Sequence, residues 1–304
     1  MRKIGLVGAA GGLGSMVGYN LALNGLADEI VYIDLLKEKA SAQALDTCHG
    51  IIWEQDVDVY QGDYEDARDA DLFVVTAGKP RRPGMSRLDL VDANKKIMKE
   101  VAKKIDSVAP EAVTVITTNP LDVMNFALYR FGKRPRQKVV GEAGMLDSAR
   151  FRYVLARKFG VKFSEVEAFV LGEHGDSQVP LFSRVVVKGE KKHIKDEEER
   201  REILGTLCES AMNVIKGKGA TTFGPARAVT LMVDSILNDK RKIYPCSVIP
   251  RGEYGLKYGS IGLPVRLGSN GAEEIVEWGL SEEEKEALER SHDKIMKICE
   301  EKIS

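Results

Sequence analysis

The chain has 304 residues, 43% hydrophobic and 30% charged, and its 45 basic side chains nearly cancel its 46 acidic ones. That length buries a sizeable core in one large domain or two closely packed ones, and the balanced charge leaves no field to recruit nucleic acid or an anionic membrane. A small molecule or another protein is the expected partner.

In chain order, Met1-Arg2-Lys3 runs into an apolar stretch too short for a signal peptide or a membrane span, so the expected location is the cytoplasm. Residues 3–7 read as a buried strand. Gly8-Ala9-Ala10-Gly11-Gly12-Leu13-Gly14 follows at once and opens a helix over 12–23. The missing Cβ atoms let backbone N–H groups approach a pyrophosphate at the positive end of that helix. A second strand, 29–33, delivers Asp34 twenty residues beyond Gly14, where a carboxylate accepts from ribose hydroxyls and repels a 2′-phosphate. Alone, the glycines read equally as a tight turn and Asp34 as a helix cap. Strand, glycines, helix, strand and acid together predict a nicotinamide or similar dinucleotide, although the glycine spacing holds one residue more than G-x-G-x-x-G.

Further strands are expected over 71–76 and 112–117, and further helices over 37–49, 88–107 and 122–130. Strands alternating with helices predict a parallel, doubly wound sheet, and Gly, Asp or Asn lies close to each strand's carboxyl end, where such sheets bind ligands. The segment Gly78-Lys79-Pro80-Arg81-Arg82-Pro83-Gly84 cannot be helical and reads as a surface loop. Beyond residue 141 the pattern turns to α+β. A helix over 146–159 precedes a strand ending near Leu171, alternating apolar positions over 179–187, a charged helix over 196–216 and a second helix after Pro225. Strands over 242–249 and 261–267 lead to a terminal helix from Ser281, whose spacing to Glu284 fits a capping box. The expected organisation is a dinucleotide domain, 1–141, and a substrate domain, 142–304, sharing a rigid interface because no linker separates them.

Cys48, Cys208, Cys246 and Cys299 lie apart from one another and from zinc-like spacings, which fits a reducing compartment and speaks against a structural metal. Lysine and glutamate abound while glutamine is sparse, a bias of proteins that work hot. Gly172-Glu173-His174-Gly175-Asp176 follows an apolar run, and a histidine framed by glycines at a strand end can titrate near neutrality in a crevice. Such a histidine can also be merely solvated. In Leu146-Asp147-Ser148-Ala149-Arg150, Asp147 and Arg150 share a helix face, as a simple intrahelical ion pair also would.

With these motifs in place, the sequence resembles the malate and lactate dehydrogenase family over essentially its full length. The matching segments are the glycine loop with Asp34, Thr76-Ala77-Gly78, Gly84-Met85-Ser86-Arg87-Leu88-Asp89-Leu90, Thr117-Thr118-Asn119-Pro120, the Asp147 motif and the His174 motif. The likeness is strongest to the archaeal, lactate-dehydrogenase-like malate branch, although the acidic excess of its halophilic members is missing. The resemblance implies a Rossmann-type sheet followed by an α+β substrate domain, NAD as cofactor, and a homotetramer or a dimer. It implies that His174 is the acid/base, oriented by Asp147, and that Arg150 clamps the substrate carboxylate through paired hydrogen bonds. Arg87 would close over the reacting carbonyl, Asn119 would meet substrate and nicotinamide, Thr117, Thr118 and Asn94 would line the cofactor side, and Thr221 would offer a hydroxyl to the substrate. Arg81, six residues before Arg87, would read the group beyond the carbonyl. Arginine there suits a second carboxylate, hence malate and oxaloacetate, unless Lys79, Arg81 and Arg82 form only an exposed basic loop. Gly141-Glu142-Ala143-Gly144 falls where relatives vary, and either tunes the pocket wall or does nothing. An NAD-dependent glycosidase would need a longer chain and Cys/His metal ligands, and a silent dinucleotide binder would not need the Asp147, Arg150 and His174 set.

Overall fold

The apolar runs of the N-terminal half become parallel strands, most of them buried on both faces, as a sheet covered by helices on each side requires. A computed structural model describes residues 1–80 and 87–303, the side chains of Arg87 and Leu88 excepted. The first six strands are β1 (Lys3–Val7), β2 (Glu29–Ile33), β3 (Asp58–Gln61), β4 (Leu72–Val75), β5 (Val113–Ile116) and β6 (Val139–Glu142). Between them run α1 (Gly12–Leu23), α2 (Lys37–Ile51), α3 (Arg87–Val108) and α4 (Leu121–Phe131). The spatial order β3-β2-β1-β4-β5-β6 is parallel throughout, and it changes direction between β1 and β4. At that switch point the carboxyl ends of the strands leave a crevice.

The second half holds α5 (Gly144–Phe159), β7 (Val166–Glu167), β8 (Val170–Gly172), β9 (Gln178–Pro180), β10 (Val186–Val187), β11 (Glu190–Lys191), α6 (Glu197–Lys218) and α7 (Phe223–Leu237). It closes with β12 (Lys242–Val248), β13 (Ile261–Gly268), β14 (Gly271–Ile275) and α8 (Glu282–Ile303). β12 pairs antiparallel with β6, so the parallel sheet continues without a break through β13, β8 and β9, while β7, β10 and β11 form a small separate sheet. One apolar core therefore includes Val7 and Val115 from the first half and Leu171, Val229 and Leu263 from the second.

Three expectations need correction. Strands β3 and β6 went unread because β3 buries only Val59 and β6 ends in Gly141-Glu142, so neither shows a clear apolar period. α7 starts at Phe223 rather than after Pro225, since a proline in the first helical turn has no intrahelical N–H bond to lose. The stretch 179–187 is not one strand: a 3-10 turn at Phe182–Arg184 interrupts it and packs Phe182 on Phe151 at 5.3 Å between ring centroids. The caps behave as their residue types demand. Asp196 accepts from the Glu198 and Glu199 N–H groups at 2.7 and 2.9 Å to start α6. Ser281 and Glu284 exchange the two bonds of a capping box at 3.0 and 3.3 Å to start α8. All four cysteines are free thiols, and among the described residues no helix is long and apolar enough to cross a membrane.

Candidate active site

At the carboxyl end of β1 the chain turns through Gly8 with φ +93°, a left-handed conformation in which a Cβ would stand 2.6 Å from the Ala77 nitrogen. A Cβ on Gly14 would stand 2.2 Å from the Gly8 oxygen, so α1 can start this close to β1 only without one. Ala9 and Ala10 are buried beneath the turn, Leu13 is half-buried, and Gly11 and Gly12 are exposed. Gly11 brings no side-chain cap to α1, and the first turn of that helix carries no acidic residue. Among the described residues the leading N–H groups of α1 thus have no side-chain acceptor at the positive end of the helix, a cradle that fits the pyrophosphate of a dinucleotide. Asp34, at the end of β2, accepts from the Ala10 N–H at 3.0 Å and from the Leu36 N–H at 3.0 Å. The same carboxylate that the spacing singled out for a ribose therefore also fixes the glycine turn.

Across the crevice, α5 presents Asp147 and Arg150 on one face, and the turn after β8 presents His174. His174 Nδ1 lies 2.7 Å from Asp147 Oδ2, while Arg150 donates to Asp147 Oδ1 at 3.2 Å and to Thr221 Oγ1 at 3.3 Å. Asp147 is buried, with its side chain 6% exposed against 20% for His174 and 19% for Arg150. This pattern leaves His174 Nε2 as the ring nitrogen not committed to Asp147. Burial works against the charged imidazole, but the Asp147 carboxylate, by charge and by hydrogen bond, outweighs it, with Glu142 and Asp122 adding to the effect, and His174 is pushed up to about 9.

The backbone around His174 is held from two further helices. Gly172 enters the turn with φ +83°. The His174 N–H donates to Asp122 Oδ2 at 2.8 Å, and Ser247 Oγ donates to Asp122 Oδ1 at 2.5 Å. Burial pushes Asp122 up to about 6 against these two donors. The Glu173 N–H donates to Ser291 Oγ at 2.8 Å, and Lys294 donates to Glu173 Oε2 at 2.8 Å, tying the turn to α8. Sequence reasoning assigns no role to Asp122, just beyond the Asn119-Pro120 motif, or to Glu173, inside the His174 motif. Their partners lie far away in sequence or on the backbone, where residue type gives no signal.

The remaining expected residues fall around the same crevice. Thr117 and Thr118 are buried at the end of β5, where Thr118 Oγ1 donates to the Ala77 carbonyl at 2.8 Å, and Asn119 beside them is exposed. Asn94 is fully buried: it accepts from the Lys79 N–H at 2.8 Å and donates to the Asn119 carbonyl at 2.7 Å. It joins two strand ends from behind. Arg81, and the rest of the basic loop through Ser86, lie outside the described residues, as does the side chain of Arg87.

A doubly wound sheet with an uncapped helix terminus at its switch point, facing a His–Asp pair flanked by an arginine, defines a dinucleotide-dependent oxidoreductase. Residues 2–141 match the lactate/malate dehydrogenase NAD binding domain, and residues 144–304 match the lactate/malate dehydrogenase alpha/beta C-terminal domain. The chain belongs to the lactate/malate dehydrogenase family, whose cofactor is NAD. It is 48% identical to a malate dehydrogenase of Halobacterium salinarum over 97% of each chain. Among solved structures it is similar to a minor L-lactate dehydrogenase of Enterococcus mundtii, with TM-score 0.93, 32% identity and 99% and 98% of the two chains covered. It is also similar to a lactate dehydrogenase of Cryptosporidium parvum complexed with lactic acid and nicotinamide adenine dinucleotide, with TM-score 0.92, 33% identity and coverage of 98% and 97%.

Proposed function

We propose that this chain interconverts malate and oxaloacetate, with residues 1–141 binding NAD and residues 142–304 supplying the acid/base and the carboxylate clamp. The observation that carries the reading is the 2.7 Å bond between His174 Nδ1 and Asp147 beside the Arg150 guanidinium. Bound NAD supplies the hydride acceptor and NADH the donor. The protein's own residues manage the proton and the anion. His174 Nε2 gives its proton to the carbonyl oxygen of oxaloacetate and takes it from the hydroxyl of malate, while Asp147 holds the ring in one tautomer and stabilises its charge. Arg150 receives the carboxylate next to the reacting carbon, and Thr221, bonded to Arg150, stands within reach of the same group. Arg87 polarises the carbonyl, Asn119 orients substrate and nicotinamide, and Asn94 holds their strand ends together. The 48% identity to a protein named malate dehydrogenase favours malate, whereas the structural likeness to lactate dehydrogenases makes lactate the second reading. The resemblance further suggests a cytoplasmic homotetramer, or a dimer, acting in the tricarboxylic acid cycle.

Oxidation of NADH with oxaloacetate and with pyruvate, followed by absorbance, tests the reading directly. A higher kcat/KM with oxaloacetate is expected, and a preference for pyruvate would replace malate by lactate. Arg81→Gln tests the basis of the choice. Removing one partner of a hydrogen-bonded charge pair in a closed site costs about 2–5 kcal/mol, so the oxaloacetate-to-pyruvate ratio of kcat/KM should fall by about 10²-fold or more. An unchanged ratio would remove Arg81 from this role.

Asp34 makes a second expectation about selectivity. A 2′-phosphate would meet a carboxylate fixed by two backbone N–H groups, and the nearby Lys37 is engaged by Asp63 at 2.7 Å. NADH should therefore outperform NADPH in kcat/KM by about tenfold or more. Equal values for the two cofactors would show that Asp34 only braces the turn.

A further inference from the structure

Glu142 is the last residue of β6, two residues before α5 begins, and only 4% of it is exposed. Among the described residues its carboxylate accepts one hydrogen bond, from the Leu146 N–H, 3.2 Å from Oε1. Its register partner on β12 is Cys246, whose buried thiol lies in the same cluster. α5 contributes Asp147 and Arg150, and the turn after β8 contributes His174. Asp122, from α4, enters the cluster through His174. His174 and Arg150, the cations of this cluster among the described residues, have other hydrogen-bond partners, His174 at Asp147 and Arg150 at Asp147 and Thr221. Among the described residues, an ionised Glu142 would thus be a buried carboxylate without an ion pair, facing the charge of Asp147. Such a group takes up a proton instead.

We infer that Glu142 works as a neutral carboxylic acid whose proton keeps the site receptive to a dianionic substrate, and whose ionisation on the alkaline side turns that substrate away. The inference rests on the malate and oxaloacetate reading above. Its physical basis is the location: a negative charge on Glu142 would be added, under low-dielectric conditions, to the pocket in which Arg150 must receive a carboxylate. Burial pushes Glu142 up to about 8, with His174 and Arg150 opposing and Asp147 adding to the shift. It therefore holds its proton at neutral pH and gives it up on the alkaline side.

Glu142→Gln, which keeps the shape and cannot ionise, provides the test. The folded-state value lies above the ordinary 4.5, so the stability Glu142 contributes is complete below about 4.5 and is lost as pH rises through about 8. The melting temperature of Glu142→Gln should accordingly gain on the wild type across that window, and a difference independent of pH would overturn the neutral acid. In the wild type, kcat/KM for oxaloacetate should fall on the alkaline side with a limiting slope of two in log units, one for Glu142 and one for His174. In Glu142→Gln the slope should be one, so the profiles diverge by about tenfold per pH unit. Equal slopes would overturn the effect on substrate. Should the variant fail to fold, the infrared spectrum of the wild type decides: a protonated-carboxyl band should persist at about pH 7 and vanish with a midpoint near 8, and its absence at neutrality would overturn the proposal. Should neither oxaloacetate nor pyruvate be reduced, the functional reading fails while the melting comparison still reports the state of Glu142.

Discussion

Replacing His174 by Asn should lower kcat by about 10²–10⁴ while leaving NADH binding, followed by fluorescence, unchanged, since this is the range for loss of a general acid or base. Asn preserves much of the polar surface of the ring but cannot carry a proton through the cycle. The pH dependence supplies a second signature. Asp147 holds the imidazole charged up to about 9, so in the wild type kcat for reduction of saturating oxaloacetate, which needs the imidazolium, should be favoured below that value and lost above it. Oxidation of malate needs the neutral ring, so its kcat at saturating malate, where binding no longer limits, should rise as pH approaches the same value. In His174→Asn both dependences on this group should disappear from the residual rate. Retention of more than about a tenth of the wild-type kcat would require another proton donor.

Arg150→Leu should lower kcat/KM for oxaloacetate by about 10²–10³-fold, mostly through KM, because the substrate carboxylate would lose a charge-assisted pair of hydrogen bonds worth about 2–5 kcal/mol. Arg150→Lys separates charge from geometry. It restores the cation but not the planar fork that reaches Asp147 and Thr221 together, and it should recover only part of the loss. Asp147 keeps its bond to His174 in both variants, so the alkaline limb assigned to that histidine should remain. A change of less than about threefold in Arg150→Leu would place the substrate carboxylate elsewhere.

The two expectations differ in how far the sequence alone could carry them. β1, β2 and α1 were legible to the residue, because a short β-branched run, a glycine-rich turn and a helical period each leave their own mark. Asp147 and Arg150 were legible as neighbours on a helix, but their meeting with His174 was not: the separation of 27 positions from Asp147 to His174 carries no pattern that brings the two together. Strand β6 and the buried Glu142 were obscured for the same reason. A four-residue strand ending in a carboxylate looks like a loop until β12 is seen to pair with it. Asn94 illustrates the opposite case. Its place in the crevice followed from family likeness, whereas its fully buried amide and backbone partners emerge only from the folded chain.

The anchoring of the His174 turn has a consequence for how activity arises during folding. Its bonds reach back 52 residues to Asp122 and forward from Glu173 by 118 residues to Ser291, so the reacting nitrogen is positioned by contacts spanning much of the chain. Closing such long loops costs entropy before the contacts form to offset it. A chain with its strands paired but α8 undocked would hold every residue of the His–Asp–Arg set and still lack the brace between Glu173 and that helix. Catalytic competence thus belongs to the completed topology rather than to either half, and α8, far from the chemistry in sequence, is one of its conditions.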